Sequence, residues 1–234
     1  MVIKLKNNLK KFESIIKIIN NISDETDYLF GPEGIKVRAV APSNVLLGIF
    51  DIKKEFFDKY EITEEKILTI DNVLFSKLIK KVGKKELAID FLEDAIQLSN
   101  SKETFSLKFF VGKKDERPDP QIPCTSIWKL KSSEFATTIK ELSELGVICC
   151  VKGNEELSIS IKSNMIEGES LTTAEKIQSD DAFCYYDIGY ITPAIGCKDI
   201  FDDIRIGFAT EIPLMIKGTT DDLNFVYIVA AREE

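Results

Sequence analysis

Seven lysines could do chemistry here, and that chemistry is electrostatic. Lys10, Lys11, Lys17, Lys77, Lys80, Lys81 and Lys140 fall on stretches with helical spacing, in a chain of 234 residues whose 39 Asp and Glu outnumber 31 Lys and Arg for a net charge of -8. An ammonium on a helix face makes a point contact with a phosphate and reads no base, so such a set suits a polyanion held without regard to its sequence. The bulk of the surface is acidic and repels the same polyanion. A chain built this way holds nucleic acid in one place only.

Other chemistry is excluded or thinly supported. The chain has no histidine, which removes Ser-His-Asp and Cys-His arrangements, imidazole metal ligands and ordinary imidazole acid/base work. Neither a G-x-x-x-x-G-K-[ST] phosphate loop nor a G-x-G-x-x-G turn is present. The pairs Asp180-Asp181 and Asp202-Asp203 could bind a metal or exchange protons, although acidic pairs beside turns are usually just solvated. A metal-dependent enzyme using these pairs is therefore the rival reading from another class, and no cofactor is expected. Five cysteines, odd in number and without a C-x-x-C pair, point to a reducing compartment rather than a disulfide framework. The N-terminus lacks the apolar core of a signal peptide, and no apolar run approaches the ~20 residues of a membrane span. A cytoplasmic location is expected.

The lysines need helices to position them. At 100° per residue Leu9, Phe12, Ile15, Ile16 and Ile19 share one face of a first helix over Leu9 to Asn20, with Lys10 and Lys17 near the opposite side and Lys11 at the edge. A second helix, capped at Asp71 or Asn72 and stopped near Gly83, has the apolar set Leu74, Phe75, Leu78, Ile79 and Val82. Lys77, Lys80 and Lys81 project from its other face, and Lys84 and Lys85 extend the patch. No glutamate compensates them, and like charges at i,i+3 and i,i+4 repel unless something opposes them. Phosphate is the obvious counter-charge.

Strands surround these helices. Leu157, Ile159 and Ile161 alternate with Ser158, Ser160 and Lys162, and Ile204, Ile206 and Phe208 alternate with Arg205, Gly207 and Ala209, the period of half-buried strands. The order strand, helix, strands appears twice. Val2 to Leu5 leads into the first helix, and Ile127 to Leu130 leads into a helical stretch Ser133 to Ser143. Phe12, Ile16, Lys17 and Ile19 correspond at constant offset to Phe135, Ile139, Lys140 and Leu142. An internal duplication of about half the chain follows. Between the copies lies a charged segment with three prolines, Pro118, Pro120 and Pro123, which proline geometry makes an extended connector. Charge shifts there too, from 18 Lys/Arg against 17 Asp/Glu in residues 1–112 to 13 against 22 in residues 113–234. The expected organisation is an N-terminal domain 1–112, a connector 113–125 and a C-terminal domain 126–234. Antiparallel sheets with a few helices on one face place the fold in the α+β class.

The segment Gly34-Ile35-Lys36-Val37-Arg38-Ala39-Val40-Ala41-Pro42-Ser43-Asn44-Val45-Leu46-Leu47 resembles the matching stretch of archaeal and eukaryotic sliding clamps, the proliferating cell nuclear antigen (PCNA) family. Phe75-Ser76-Lys77-Leu78-Ile79-Lys80-Lys81-Val82-Gly83 is similar to that family's second helix, and Ser132-Ser133-Glu134-Phe135 with Glu141-Leu142-Ser143 to its third. Glu211-Ile212-Pro213-Leu214 and Tyr227-Ile228-Val229-Ala230-Ala231-Arg232 resemble its last strands. The matches run in the family's order over nearly the whole chain.

The resemblance implies a DNA clamp fold: a ring of three subunits, each of two similar domains, with helices inside and sheets outside, encircling duplex DNA as a processivity factor without an active site. Its DNA-facing lysines correspond to the seven above. Its subunits join through edge strands, here Thr104 to Val111, with Phe105, Leu107, Phe109 and Val111, against Gly168 to Thr173 of the next copy, with Glu169, Leu171 and Thr173. So apolar an edge would invite aggregation if left unpaired. Its pocket for partner peptides corresponds to Val40, Asn44, Val45, Leu47, Ile122, Pro123, Pro213, Ile228, Ala230, Ala231 and Arg232, although Val45, Leu47 and Ile228 could equally be core residues. The implied partners are DNA polymerase, the clamp loader, flap endonuclease and ligase, together with two identical copies of this chain. The location would be an archaeal cytoplasm, or the nucleus of a eukaryote. Two departures stand out. Pro193 falls inside the expected fourth helix near Ile188 to Gly196, which should be short or kinked, and Ala230-Ala231 replaces the family's Ala-Pro. A subunit of a heterotrimeric or checkpoint-type clamp is the alternative within the same class.

Overall fold

The computed structural model describes residues 2–162 and 166–233. The chain forms two compact units. One comprises Met1–Pro42, Gly48–Arg117 and Thr219–Phe225, the other Ser43–Leu47, Pro118–Gly218 and Val226–Glu234. Each unit has the same plan, in which antiparallel strands supply a buried face and helices cover it.

The first unit runs β1 (Val2–Leu5), α1 (Leu9–Ile22), β2 (Glu25–Gly31), β3 (Gly34–Val40), β4 (Leu46–Lys53), β5 (Lys59–Glu61), β6 (Lys66–Asp71), α2 (Asn72–Val82), β7 (Leu87–Phe91), β8 (Ala95–Ser99), β9 (Thr104–Lys108) and β10 (Phe110–Val111). Its strands lie in the orders β5-β1-β7-β8-β9 and β10-β6-β2-β3-β4. Neighbouring strands run antiparallel, as in Ile3 opposite Ile89 and Tyr28 opposite Val37. The period-two expectation is met in part: Leu157, Ile159 and Ile161 are buried with Ser160 half-buried, and Ile204, Ile206 and Phe208 are buried with Arg205 exposed, but Ser158, Gly207 and Ala209, expected on the wet face, are buried as well.

Helix α1 forms because its apolar residues repeat on one face, and it buries Leu9, Phe12, Ile15, Ile16, Ile18, Ile19 and Ile22. Each such side chain contributes roughly 1.5–3 kcal/mol when fully buried, so this face dominates the energetics of the helix. Helix α2 starts at Asp71, whose Oδ1 accepts the Leu74 N–H at 2.8 Å. It buries Phe75, Ile79 and Val82, and Phe75 meets Phe12 and Tyr28 edge to face. Leu74, expected on the apolar face, is instead 46% exposed: the buried side of α2 runs along Asn72, Phe75, Ile79 and Val82, and Leu74 lies at its margin with the half-buried Leu78.

Two details explain how α1 and α2 are held side by side. Gly83 ends α2 with φ -76°, not in a left-handed turn, and a Cβ there would lie 2.6 Å from the Ile79 carbonyl oxygen and 3.1 Å from Leu9 Cδ1. The glycine is required by close approach. Asn72 is completely buried: Tyr28 Oη donates to its Oδ1 at 2.7 Å, and its Nδ2 donates to Ser23 O and Thr26 Oγ1, both at 2.8 Å. This knot ties the start of α2 to the segment that leaves α1. Burial also pushes the Tyr28 hydroxyl pKa far upward, so that group remains a neutral donor.

The second unit runs β11 (Ser126–Lys131), α3 (Ser132–Ser143), β12 (Ile148–Gly153), β13 (Leu157–Lys162), β14 (Glu167–Thr172), β15 (Ala174–Ser179), β16 (Ala182–Asp187), α4 (Ile188–Ile191), β17 (Asp203–Phe208), β18 (Leu214–Thr219) and β19 (Leu223–Val229). Its strand orders are β14-β13-β12-β16 and β19-β18-β17-β11-β15. The duplication seen in the sequence holds at the level of burial. Phe135, Ile139 and Leu142 are buried on α3 as Phe12, Ile16 and Ile19 are on α1, and Lys140, like Lys17, is exposed. The fourth helix is short, as the proline requires: α4 has 4 residues and passes into a 3₁₀ turn over Thr192–Asp199 that has Pro193 in its first positions.

The Asn72 knot gives a direct test. Replacing Asn72 with Ala leaves the buried Tyr28 hydroxyl and Thr26 without their partner and should cost about 2–3 kcal/mol in urea unfolding. Replacing Asp71 with Ala removes one exposed cap and should cost only about 1 kcal/mol.

Candidate functional site

The seven lysines are placed by three helices whose opposite faces are committed to the core. Lys10 and Lys17 on α1, Lys77, Lys80 and Lys81 on α2 and Lys140 on α3 are exposed, and Lys11 is half-buried at the edge of α1. Among the described residues none of the seven is in an ion pair. By contrast Lys54, Lys59, Lys114, Lys129 and Lys131, which lie outside the α-helices, all face carboxylates within 4 Å. Lys81 Nζ lies 4.7 Å from the centre of the Phe105 ring, a cation–π contact that orients the ammonium without neutralising it. Helices α1 and α2 pack against each other, so five exposed lysines share one pair of helices. In the second unit α3 supplies Lys140 with Glu141 beside it, and α4 has no basic residue.

Of the two acidic pairs, Asp203 has an ordinary structural role. Asp203 lies 2.8 Å from Lys131 Nζ and 3.7 Å from Lys129 Nζ, and the Lys131 hydrogen bond holds its carboxyl below the usual range. The Asp180 amide donates to Thr125 O. No cluster of three or more Cys, Asp or Glu suited to a metal occurs among the described residues. All five cysteines are free thiols, and burial pushes Cys149 up to about 12 and Cys197 further still, which disfavours a thiolate nucleophile.

The edge-strand expectation needs correction. Thr104 to Val111 is not one strand: β9 ends at Lys108 on the edge beside β8, and after Phe109 the chain crosses to pair as β10 with β6. Leu107 is buried and Phe105 and Phe109 are half-buried, so within β9 the apolar side chains turn towards the unit and the exposed residues Thr104, Ser106 and Lys108 are polar, whereas Phe110 on β10 is 73% exposed. Val111 is 88% exposed on β10. On the other side β14 pairs only with β13 and ends its sheet. Glu169, Leu171 and Thr173 are all exposed, Leu171 at 65%. Both edges offer backbone groups, and Phe110, Val111 and Leu171 expose apolar side chains beside them.

The connector is extended and docked at its first half. Gly112 N–H donates to Ile67 O at 2.9 Å, Arg38 Nε lies 3.3 Å from Asp115 Oδ2, and Arg38 Nη1 donates to Arg117 O at 3.2 Å. Arg117 also grips Asp115, donating through Nε and Nη2 at 2.8 and 2.7 Å. The Arg117 hydrogen bond, with both guanidinium charges, holds the Asp115 carboxyl near 2.

Of the residues expected to form a peptide pocket, all but Val40 belong to the second unit. Val40 is half-buried at the end of β3. Asn44 is exposed in a left-handed conformation at φ 58°, and Val45 and Leu47 beside it are half-buried. Ile122 and Pro213 are half-buried, Pro123 is exposed, and Ile228, at 8% exposure, is a core side chain. The structure stitches the Asn44 loop to the C-terminal tail, where Ala230 N–H donates to Val45 O at 2.8 Å. Ala231 and Arg232 help line an open cavity of about 550 Å³ completed by Phe183, Cys184, Tyr185, Thr210, Glu211 and Glu233. Those six were missed in the sequence. A β16 residue shows only strand alternation, and nothing in the one-dimensional pattern tells which loop meets its outer face. Glu211 did leave a trace in the fold, since it is the other described non-glycine residue at positive φ, 61°, a strained conformation for this residue type.

No family model matches the chain. Curated relatives do, over nearly their full length. A DNA polymerase sliding clamp of Nanoarchaeum equitans is 23% identical over 242 residues, covering 96% of this chain and 97% of that protein. A DNA polymerase sliding clamp of Thermococcus onnurineus is 26% identical over 243 residues, covering 96% of each. Among solved structures, a chain of the PCNA2-PCNA3 complex from Sulfolobus tokodaii superimposes with a TM-score of 0.89 at 21% identity over 100% of both chains. Proliferating Cellular Nuclear Antigen from Entamoeba histolytica does so with a TM-score of 0.88 at 19% identity, covering 99% of this chain and 98% of that one. The fold of this chain is that of the DNA clamps.

The docked connector can be tested by itself. Asp115→Asn should speed amide exchange through residues 113–117 severalfold while shifting the thermal midpoint by no more than about 4 °C, because ion pairs at the surface contribute roughly 0–1 kcal/mol. The same loosening is expected on acidification. A carboxyl held low in the fold contributes above the ordinary pKa of about 4 and loses its contribution as pH falls towards 2.

Proposed function

We infer that this chain, a member of the PCNA family of sliding clamps, is a DNA polymerase sliding clamp: a non-enzymatic ring that encircles duplex DNA and tethers the polymerase as a processivity factor. The observation that carries this reading beyond likeness is the set of seven lysines, unpaired on helices α1, α2 and α3 of an otherwise acidic protein. A topological tether needs no tight grip. Contacts through lysine to phosphate alone, with non-specific affinities of ~10⁻⁴ to 10⁻⁶ M, let the ring slide.

Ring closure would use the free backbone edges of β9 and β14, one from each neighbouring copy. Three identical chains are the simplest ring that places both edges in use. A heteromeric ring is the second reading, supported by the likeness to a chain from a complex of PCNA2 with PCNA3. The cavity beside the C-terminal tail, with the Asn44 loop stitched to that tail, would receive short peptide segments of the polymerase, clamp loader, flap endonuclease and ligase. An aliphatic or aromatic anchor suits it, with Phe183, Tyr185 and Ala231 among its lining. The relatives being archaeal, the expected location is an archaeal cytoplasm. No helix among the described residues is long and apolar enough to cross a membrane.

Two measurements test the reading. Wild-type protein should stimulate extension by a DNA polymerase on primed circular DNA, and a variant with Lys77, Lys80 and Lys81 changed to Glu should lose most of that stimulation while keeping its thermal midpoint. Failure of the wild type to stimulate would overturn the proposal. Light scattering should give three times the 26.4 kDa chain mass, and a strict monomer up to tens of micromolar would exclude a self-assembling ring.

A further inference from the structure

The last residues of the chain are held in place by more than the β-sheet. Chain termini are usually poorly ordered unless something ties them down, and here the tail is tied at three points. Ala230 N–H donates to Val45 O at 2.8 Å, Arg232 N–H donates to Tyr185 O at 2.9 Å in an isolated antiparallel bridge, and Arg232 Nη1 lies 3.4 Å from Asp187 Oδ2. The other oxygen of the same carboxylate, Asp187 Oδ1, accepts the Gly189 N–H at 2.9 Å and caps α4. One side chain thus serves two elements. Ala231, Arg232 and Glu233 make up one wall of the 550 Å³ cavity, and Phe183, Cys184 and Tyr185 of β16 make up another. If the tail lifts from β16, the cavity loses the first wall and ceases to be concave.

We propose that Asp187 is a positioning residue for peptide binding: its carboxylate pins Arg232, thereby pre-ordering the tail as a cavity wall, and couples that wall to the start of α4. The inference rests on the reading of the cavity as the peptide site. Its physical basis is pre-organisation. A wall already ordered in the free protein need not be ordered at binding, and fixing even one residue at that moment lowers affinity on the order of tenfold. The pair is partly exposed on both sides, so it adds little to global stability. Its effect should therefore appear in binding and not in unfolding.

Asp187→Asn separates the two roles of the side chain, because the amide oxygen still caps Gly189 while the charge that holds Arg232 is gone. Arg232→Gln removes the other partner. The probe is a short fluorescein-labelled peptide carrying one aliphatic and one aromatic anchor residue, titrated with full-length protein and read by polarisation. Each single variant should weaken binding about fivefold, and the double variant should be no weaker than the weaker single, since both remove one interaction. The wild-type advantage should shrink between 0.05 and 1 M NaCl as the pair is screened. In the free protein, exchange of the Arg232 amide should speed up in both variants with the thermal midpoint unchanged. Wild-type binding that either variant reproduces at equal affinity, or losses that add in the double variant, would overturn the role of Asp187 while leaving the peptide site intact. No binding by the wild type would overturn the peptide site, and the inference with it.

Discussion

Each helix in this protein has one apolar face that must be buried, and whatever stands opposite is thereby committed to solvent. The rest of the structure depends on that constraint. On α1 seven apolar residues are buried, Leu9 through Ile22, which leaves no rotation of the helix that would hide Lys10 or Lys17. On α2 the buried trio Phe75, Ile79 and Val82 does the same for Lys77, Lys80 and Lys81. The energetics belong to the buried faces, at roughly 1.5–3 kcal/mol for each fully buried large side chain. The lysines themselves add little beyond the contact of Lys81 with the Phe105 ring. A cluster of unpaired like charges is a small cost of folding that only an external polyanion relieves.

The same separation of labour recurs at the C-terminal tail. Packing decides where β16 and the Ala209–Pro213 turn lie, with Tyr186 Oη donating to Ile212 O at 2.9 Å to set the turn against the strand. The polar stitches, from Ala230 to Val45 and from Arg232 to Tyr185 and Asp187, then determine whether the last residues form a wall or a loose end. Interactions of this kind are individually weak. They matter because a terminal segment has little else to hold it.

Much of this was legible in the residues. Helical and strand periods located α1, α2 and α3 and the strands β1, β11, β13 and β17. The repeat relating Phe12, Ile16 and Lys17 to Phe135, Ile139 and Lys140 predicted matching burial and exposure, and Pro193 predicted the short fourth helix. The misses share a cause. Leu74 looked like a core residue because periodicity assigns a face without fixing where its margin falls, and the buried side of α2 is centred on Asn72, Phe75, Ile79 and Val82. Thr104 to Val111 looked like one apolar edge because alternation cannot show that the chain leaves one sheet after Lys108 and joins another at Phe110. Ile228 could be read as pocket or core, and only its 8% exposure places it in the core.

By itself the sequence determined the helix faces, the duplication, the extended connector, the absence of histidine chemistry and the seven lysines. All of these follow from local spacing or composition, in which each residue acts through its near neighbours along the chain. Tertiary structure alone decided that Asp115 is gripped by Arg38 and Arg117, that Glu211 is held at positive φ beside a cavity, and that Asp187 meets Arg232. Asp187 and Arg232 lie far apart along the chain, and no propensity or period links them. They meet because β16 and the tail are brought side by side by a core that neither residue belongs to.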